Sequence, residues 1–266
     1  MGELIFIGLG LYDEKDISVK GRKIAEEADT VYSEFYTSNL AGCSIQDVEE
    51  QIDSEVKVLT REDVEDDAVP VKEAKKGRTV AFLTAGDPMA ATTHVDLRLR
   101  AVNEGIDTEI VHSSSIFSAV PSLLGVQHYK FGRTVTLPYS GEGRDTPESP
   151  YENIEENKER GLHTLVLLDI NSEEEEYMNV EEGIEVLKEL EEKLGRGLIT
   201  EETLLAGLAR VGSSDPEVKA GGPEEVAKHD FGGGLHCLVV FGDLHFMEID
   251  SLVNLADAPE EIKEEF

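Results

Sequence analysis

Two glycine-bearing stretches carry groups able to meet a ligand. In Phe6-Ile7-Gly8-Leu9-Gly10-Leu11-Tyr12-Asp13 a short apolar run ends in two glycines, which let the backbone turn sharply and approach a bound molecule closely. The third glycine of a dinucleotide fingerprint is absent, since Asp13 stands in its place, so pyrophosphate has no seat. The same residues serve equally well as a tight turn that binds nothing. Leu83-Thr84-Ala85-Gly86-Asp87-Pro88 places a carboxylate after a second apolar run. An anionic Asp87 suits hydroxyl groups or a cation and repels phosphate, or else it closes an Asx turn before Pro88. Ser113, Ser114 and Ser115 also lie between a strand pattern and a helix pattern, so Ser115 is either an N-cap or a ligand contact. No Gly-x-Ser-x-Gly elbow surrounds them, which argues against a serine nucleophile. The seven histidines show neither the spacing of a zinc helix nor a neighbouring Cys-x-x-Cys, so no metal is expected. His236 stands out, because it follows Gly232-Gly233-Gly234 by one residue and precedes the apolar run Cys237 to Phe241. Glu173 to Glu176 lacks the loop pattern of a calcium site and reads as a solvated acidic face.

Such turns need a scaffold, and the pattern of apolar runs supplies one. Leu4–Ile7, Thr30–Tyr32, Val56–Leu59, Val80–Leu83 and Glu109–Val111 start about 25 residues apart, room for one helix and two loops between parallel strands. Helices are expected from Ser18 to Asp29 and from Ser44 to Ile52, each with its serine as N-cap, then around Val71 to Lys76 and from His94 to Glu104. Residues 1–112 therefore predict an α/β domain with an open, mostly parallel five-stranded sheet. After His112 the rhythm changes, and residues 113–266 predict a second α/β domain with a mixed sheet. Its expected elements are a helix at Ile116–Leu124, strands at Leu165–Leu168, Leu204–Val211 and Cys237–Phe241, and a helix at Val180–Leu194 capped by Asn179. Tyr139 to Ser149 reads as an exposed loop.

Charge narrows the partners. The 266 residues hold 57 Asp and Glu against 24 Lys and Arg, a formal net charge of −33. Nucleic acid and anionic membranes, both bound chiefly by Lys and Arg, are disfavoured. Self-repulsion on this scale is screened at ~1 M salt, where the Debye length is ~3 Å, so a halophilic cytosol is expected. Two cysteines, Cys43 and Cys237, are too few for a disulfide framework and fit a reducing cytoplasm. No run reaches the ~18 apolar residues of a membrane span, and Met1 to Leu11 lacks the basic flank of a secretory signal.

Taken together, the motifs resemble the tetrapyrrole methylase class of S-adenosylmethionine-dependent methyltransferases. The carriers are Gly8-Leu9-Gly10-Leu11-Tyr12-Asp13 followed by Ser18-Val19-Lys20-Gly21, the Gly86-Asp87-Pro88 turn and the serine loop at 113 to 115. Leu11-Tyr12 replaces the Pro-Gly common in the cobalamin and sirohaem enzymes, which points to a different subgroup. A closer resemblance, over nearly the whole chain, is to the diphthine synthase family. It rests on Glu34-Phe35-Tyr36-Thr37-Ser38, Ala91-Thr92-Thr93-His94, Tyr129-Lys130-Phe131-Gly132 and Arg160-Gly161-Leu162-His163-Thr164-Leu165 besides the turns.

That resemblance implies a homodimer of two-domain subunits with S-adenosylmethionine folded into the cleft between the domains. The implied acceptor is translation elongation factor 2, at a histidine carrying an aminocarboxypropyl group whose amino group is methylated repeatedly. The implied cofactor contacts are Leu11, Asp87, Ala90, Ser115, Ile116, Leu168, Val211 and His236. Ala90 and Val211 have no polar side chain, so their contacts would be made through backbone. Methyl transfer from a sulfonium is an in-line displacement that gains mainly from positioning. No protein nucleophile is needed, and the residues assign no base. Two alternatives stay open at this point, a methyltransferase acting on a corrin or porphyrin precursor and a non-catalytic acidic binding protein.

Overall fold

The computed structural model describes residues 2–35, 39–139, 146–171 and 176–265, and the chain forms two compact units, Met1–Ile116 and Phe117–Phe266. In the first, β1 (Glu3–Gly8), β2 (Thr30–Glu34), β3 (Val56–Leu59), β4 (Thr79–Thr84) and β5 (Asp107–Val111) form one sheet in the order β3-β2-β4-β1-β5. Every pairing is parallel. Helices α1 (Val19–Glu27), α2 (Ile45–Ile52), α3 (Arg61–Glu65), α4 (Val69–Ala74) and α5 (His94–Asn103) cover it. Side chains alternate across the sheet, as strands require. Ile5, Ile7, Val31, Ala81 and Leu83 pack with Ala25 of α1 and with Val48 and Ile52 of α2. Leu4, Phe6, Tyr32, Val80 and Phe82 pack with Val64, Val71, Ala74, Leu97 and Ala101 of α3 to α5. Burial on both faces explains why these strands read as apolar runs rather than as alternating ones.

The predicted caps are present: Ser18 Oγ accepts from Gly21 N, and Ser44 forms a capping box with Asp47. One helix, α3, lies outside the expected set. Its start is a second capping box, Thr60 with Asp63, in a stretch that otherwise reads as solvated acids. The helix expected around Val71 to Lys76 begins earlier, with Pro70 in its first turn, and ends at Ala74.

Helix α6 (Ile116–Leu124) leads into the second unit. Its sheet contains β6 (Val135–Leu137), β7 (Thr164–Leu168), β10 (Leu205–Ala209), β11 (Glu217–Gly221) and β12 (His236–Val240), in the order β11-β10-β12-β7-β6. Only β6 and β7 run parallel. A two-stranded ribbon, β8 (Ile170–Asn171) with β9 (Glu176–Tyr177), follows β7. Helices α7 (Ser149–Glu159), α8 (Val180–Leu194), α9 (Pro223–Ala227), α10 (Phe246–Leu255) and α11 (Ile262–Glu265) complete it. The expected helix α8 starts at its Asn179 cap and ends at Gly195, in the left-handed region with φ 62°. Helices α7, α9, α10 and α11 lie outside the expected set. Most of the expected loop at Tyr139 to Ser149 lies outside the described residues, as do Tyr36-Thr37-Ser38 of one motif and most of Glu173 to Glu176.

Candidate functional site

In an open parallel sheet, ligands bind outside the carboxyl ends of the strands. Here β1 lies between β4 and β5, with Gly8 beside Thr84 and Ile7 beside Val111, so three loops emerge side by side. Those loops carry Leu11 after β1, Asp87 and Ala90 after β4, and Ser115 after β5, with Ile116 opening α6.

Backbone bonds weld the first two loops together. Leu9 N donates to Thr84 O at 2.8 Å, and Gly10 and Gly86 exchange a pair of bonds at 3.3 and 2.6 Å. Gly10 and Gly86 have φ of 89° and 71°, which residues with a Cβ rarely adopt. Gly8 is needed for a different reason: a Cβ there would stand 2.5 Å from Gly86 O, 2.7 Å from Ser113 Cβ and 3.0 Å from Pro88 Cδ. Asp13 caps the short 3-10 turn Glu14–Asp16 by accepting from Lys15 N at 2.9 Å. Asp16 Oδ2 in turn accepts from Leu11 N at 3.1 Å and Tyr12 N at 2.8 Å. The amide of Leu11 is thereby engaged within its own loop.

Asp87 joins the second loop to the third. Oδ1 accepts from Met89 N at 3.1 Å, the Asx turn that the sequence allows. Oδ2 is 2.8 Å from His112 Nδ1 and accepts from Ser113 N at 3.3 Å. A carboxylate offers about four acceptor directions, so three protein bonds leave it room for about one more donor. Behind the turn, fully buried His94 places Nδ1 3.1 Å from the Pro88 carbonyl, with its ring edge-on to Phe82. Burial holds the His94 pKa below the ordinary histidine range, so the ring is neutral and Nδ1 carries the donated proton. Asp16, His94 and His112 are therefore part of this edge, and the sequence reading assigned them no role. For His112 a signal existed in its position, directly after the last residue of β5.

In the second unit, Leu168 ends β7, Val211 lies just past β10 and His236 opens β12 opposite Ala209. Because β12 is antiparallel to both β7 and β10, these three fall at one end of the mixed sheet. Leu168 and Val211 are buried. His236 Nδ1 accepts from Val180 N at 3.3 Å, which leaves the ring proton on Nε2. Nε2 is buried without a hydrogen-bond partner. The carbonyls of Gly232 and Gly233 favour the charged ring, yet neither meets bonding geometry at Nε2, and burial holds the pKa below the ordinary range. An orphaned buried N–H of this kind fits a ligand that brings an acceptor.

These groups suit S-adenosylmethionine. The carboxylate of Asp87 can take a hydroxyl or an ammonium, the backbone edges can take polar groups, and the apolar side chains Leu11 and Ile116 can take an adenine face. Lys and Arg are absent from Gly8–Tyr12, Gly86–Ala90 and His112–Ile116, as a ligand without phosphate allows. Among the described residues no cluster of His, Cys, Asp or Glu could hold a metal ion, and no helix is long and apolar enough to cross a membrane.

Residues 3–226 match the model of the Tetrapyrrole (Corrin/Porphyrin) Methylases. The chain is 48% identical to the diphthine synthase of Methanothermobacter thermautotrophicus over 98% of both sequences. It is 50% identical to that of Methanocella arvoryzae, covering 95% of this chain and 98% of the relative. A crystal structure of diphthine synthase superposes with a TM-score of 0.89 at 38% identity, covering 98% of each chain. The chain thus belongs to the tetrapyrrole methylase family and, within it, to the diphthine synthases, and is a methyltransferase of the diphthine-forming group.

Proposed function

We propose that this chain uses S-adenosylmethionine to methylate, in repeated rounds, the amino group of the aminocarboxypropyl-histidine of translation elongation factor 2. The observation that carries the reading is the set of three joined loops at the carboxyl edge of the parallel sheet, where Asp87 keeps room for one more donor and Gly8–Tyr12, Gly86–Ala90 and His112–Ile116 hold no Lys or Arg. In this reading Leu11, Asp87, Ala90, Ser115 and Ile116 of the first unit hold the methyl donor. Kinship with diphthine synthases along almost the full length supports a protein acceptor over a corrin or porphyrin precursor. It also supports a working homodimer. The net charge of −33 supports a salt-rich cytoplasm, where screening leaves docking of the acceptor to close packing rather than long-range steering.

The test is transfer of labelled methyl groups to elongation factor 2 carrying the aminocarboxypropyl histidine, at ~1 M potassium chloride, where repulsion is screened. Mass spectrometry of the modified peptide then counts the rounds. Added methyl groups on that side chain are expected. Transfer to a porphyrin precursor with none to the protein would refute the reading.

A further inference from the structure

We infer that His112 is the general base that takes the proton from the acceptor amine before each methyl transfer, an assignment that rests on the amine-methylating function proposed above. An ammonium has no lone pair, so it must lose a proton before its nitrogen can attack. His112 stands at the carboxyl edge of the parallel sheet, one residue before Ser113, whose Cβ lies against the glycine turn. Its Nδ1 is 2.8 Å from Asp87 Oδ2. An ionised carboxylate only accepts, so Nδ1 carries the ring proton and Nε2 keeps the lone pair. Asp87 is itself fixed by the Met89 and Ser113 amides, and its side chain is 14% exposed against 72% for His112. One imidazole nitrogen is thus anchored while the ring remains open to an incoming group, the division of labour by which a carboxylate orients a histidine base.

The other histidines near the two sheet ends are unsuited. His94 is fully buried, with Nδ1 committed to the Pro88 carbonyl. His236 holds its proton on Nε2, the nitrogen without a protein partner, and so has no free lone pair to offer there.

The step balances simply. In each round one N–H proton of the acceptor passes to His112 Nε2, and the exposed imidazolium releases it to solvent. The freed nitrogen pair forms the new N–C bond as the methyl–sulfur bond breaks, its electron pair going to sulfur to leave a thioether.

Two measurements test the assignment. In the labelled-methyl assay, His112→Ala and His112→Gln should lower kcat by about 100-fold or more, the usual share of a general base. Calorimetric S-adenosylmethionine affinity should stay within about threefold, since the ring is not assigned to the cofactor, and added imidazole should restore part of the kcat of His112→Ala. Independently of turnover, nitrogen NMR of the wild-type protein should show Nδ1 protonated and Nε2 bare. A kcat within about threefold of wild type in both variants, or a proton resident on Nε2 of the neutral ring, overturns the assignment. Failure of the wild type to methylate any amine would refute the proposed function first, and the base with it.

Discussion

Substituting Glu248 by alanine should cost the second unit about 3 to 5 kcal/mol, the range for removing one partner of a buried charged network. Glu248 is fully buried at the start of α10, and its carboxylate is shared by four donors. Gln127 N and His245 N donate at 2.9 and 2.8 Å, Lys130 Nζ at 2.6 Å, and His163 Nε2 lies at 3.4 Å. His163 Nδ1 accepts from Gly242 N at 3.1 Å, so the ring proton sits on Nε2 and points at the carboxylate. Burial alone would raise the Glu248 pKa, but the Lys130, Gln127 and His245 bonds outweigh it and bring it from 4.5 to about 2. At about 1.4 kcal/mol per pH unit this is worth about 3 kcal/mol, in line with the range above. Because the folded pKa is the lower one, that stability is present above pH 4.5 and is lost as pH falls from there through about 2. The assay is chemical denaturation at ~1 M salt, which screens the surface repulsion, with amide exchange at Gln127 and His245 as the local reporter. The variant should lose protection at both amides and flatten the acid limb of the stability curve. Part of that limb should persist, because Glu191 is also lowered to about 2: burial opposes ionisation there, and donation from Ile199, Gly197 and Leu198 amides and from Tyr151 overcomes it. A variant within about 1 kcal/mol of wild type at pH 7, or an unchanged acid limb, would show that the network contributes nothing net.

The remaining predictions concern the glycine turn and the surface. Gly8→Ala should abolish measurable cofactor binding or destabilise the first unit by about 1 to 3 kcal/mol, because the new Cβ would press on backbone and on two other loops at once. Calorimetry and thermal unfolding of that variant decide it, and wild-type values in both would mean that the loops part freely. Lowering salt to ~0.01 M, where the Debye length is ~30 Å, should cost the protein folded structure by circular dichroism, and a full native spectrum there would count against a brine-adapted surface.

The parallel sheet was legible because its strands are buried on both faces and spaced by one helix each, so a period of about 25 residues survives in the apolar pattern. The mixed sheet was legible only in its central strands. Of its outer members, β6 has only three residues, too few for a pattern, and β11 carries Glu217 and Lys219, whose ammonium reaches the carbonyl and carboxylate of Asp257, in place of an apolar run. Helix α7 buries chiefly Tyr151 and Ile154 within an acidic run, and α10 is capped by His245, an unusual N-cap residue. Lys130 and His163, quoted as carriers of family likeness, prove to be members of the Glu248 network.

The candidate site was legible as turns but not as connections. Asp87 posed two readings, an Asx turn or a ligand contact, and the geometry makes the first true without removing the second, since one of about four acceptor directions is left. Asp87→Asn separates the roles. An asparagine oxygen still accepts from Met89 N, but the amide nitrogen then faces the Ser113 amide and His112, and the negative charge is gone. If Asp87 serves the cofactor only by holding the turn, the asparagine variant should keep its affinity within about fivefold, because one neutral hydrogen bond is worth about 1 kcal/mol. If the carboxylate binds the ammonium directly, the lost bond is charge-assisted and affinity should fall by at least about tenfold. The structure favours the larger loss: the loops after β4 and β5 are joined through the Asp87 carboxylate, which keeps about one acceptor direction free, and no Lys or Arg lies in Gly86–Ala90 or His112–Ile116. Retained affinity for S-adenosylmethionine in Asp87→Asn would return Asp87 to the role of a turn.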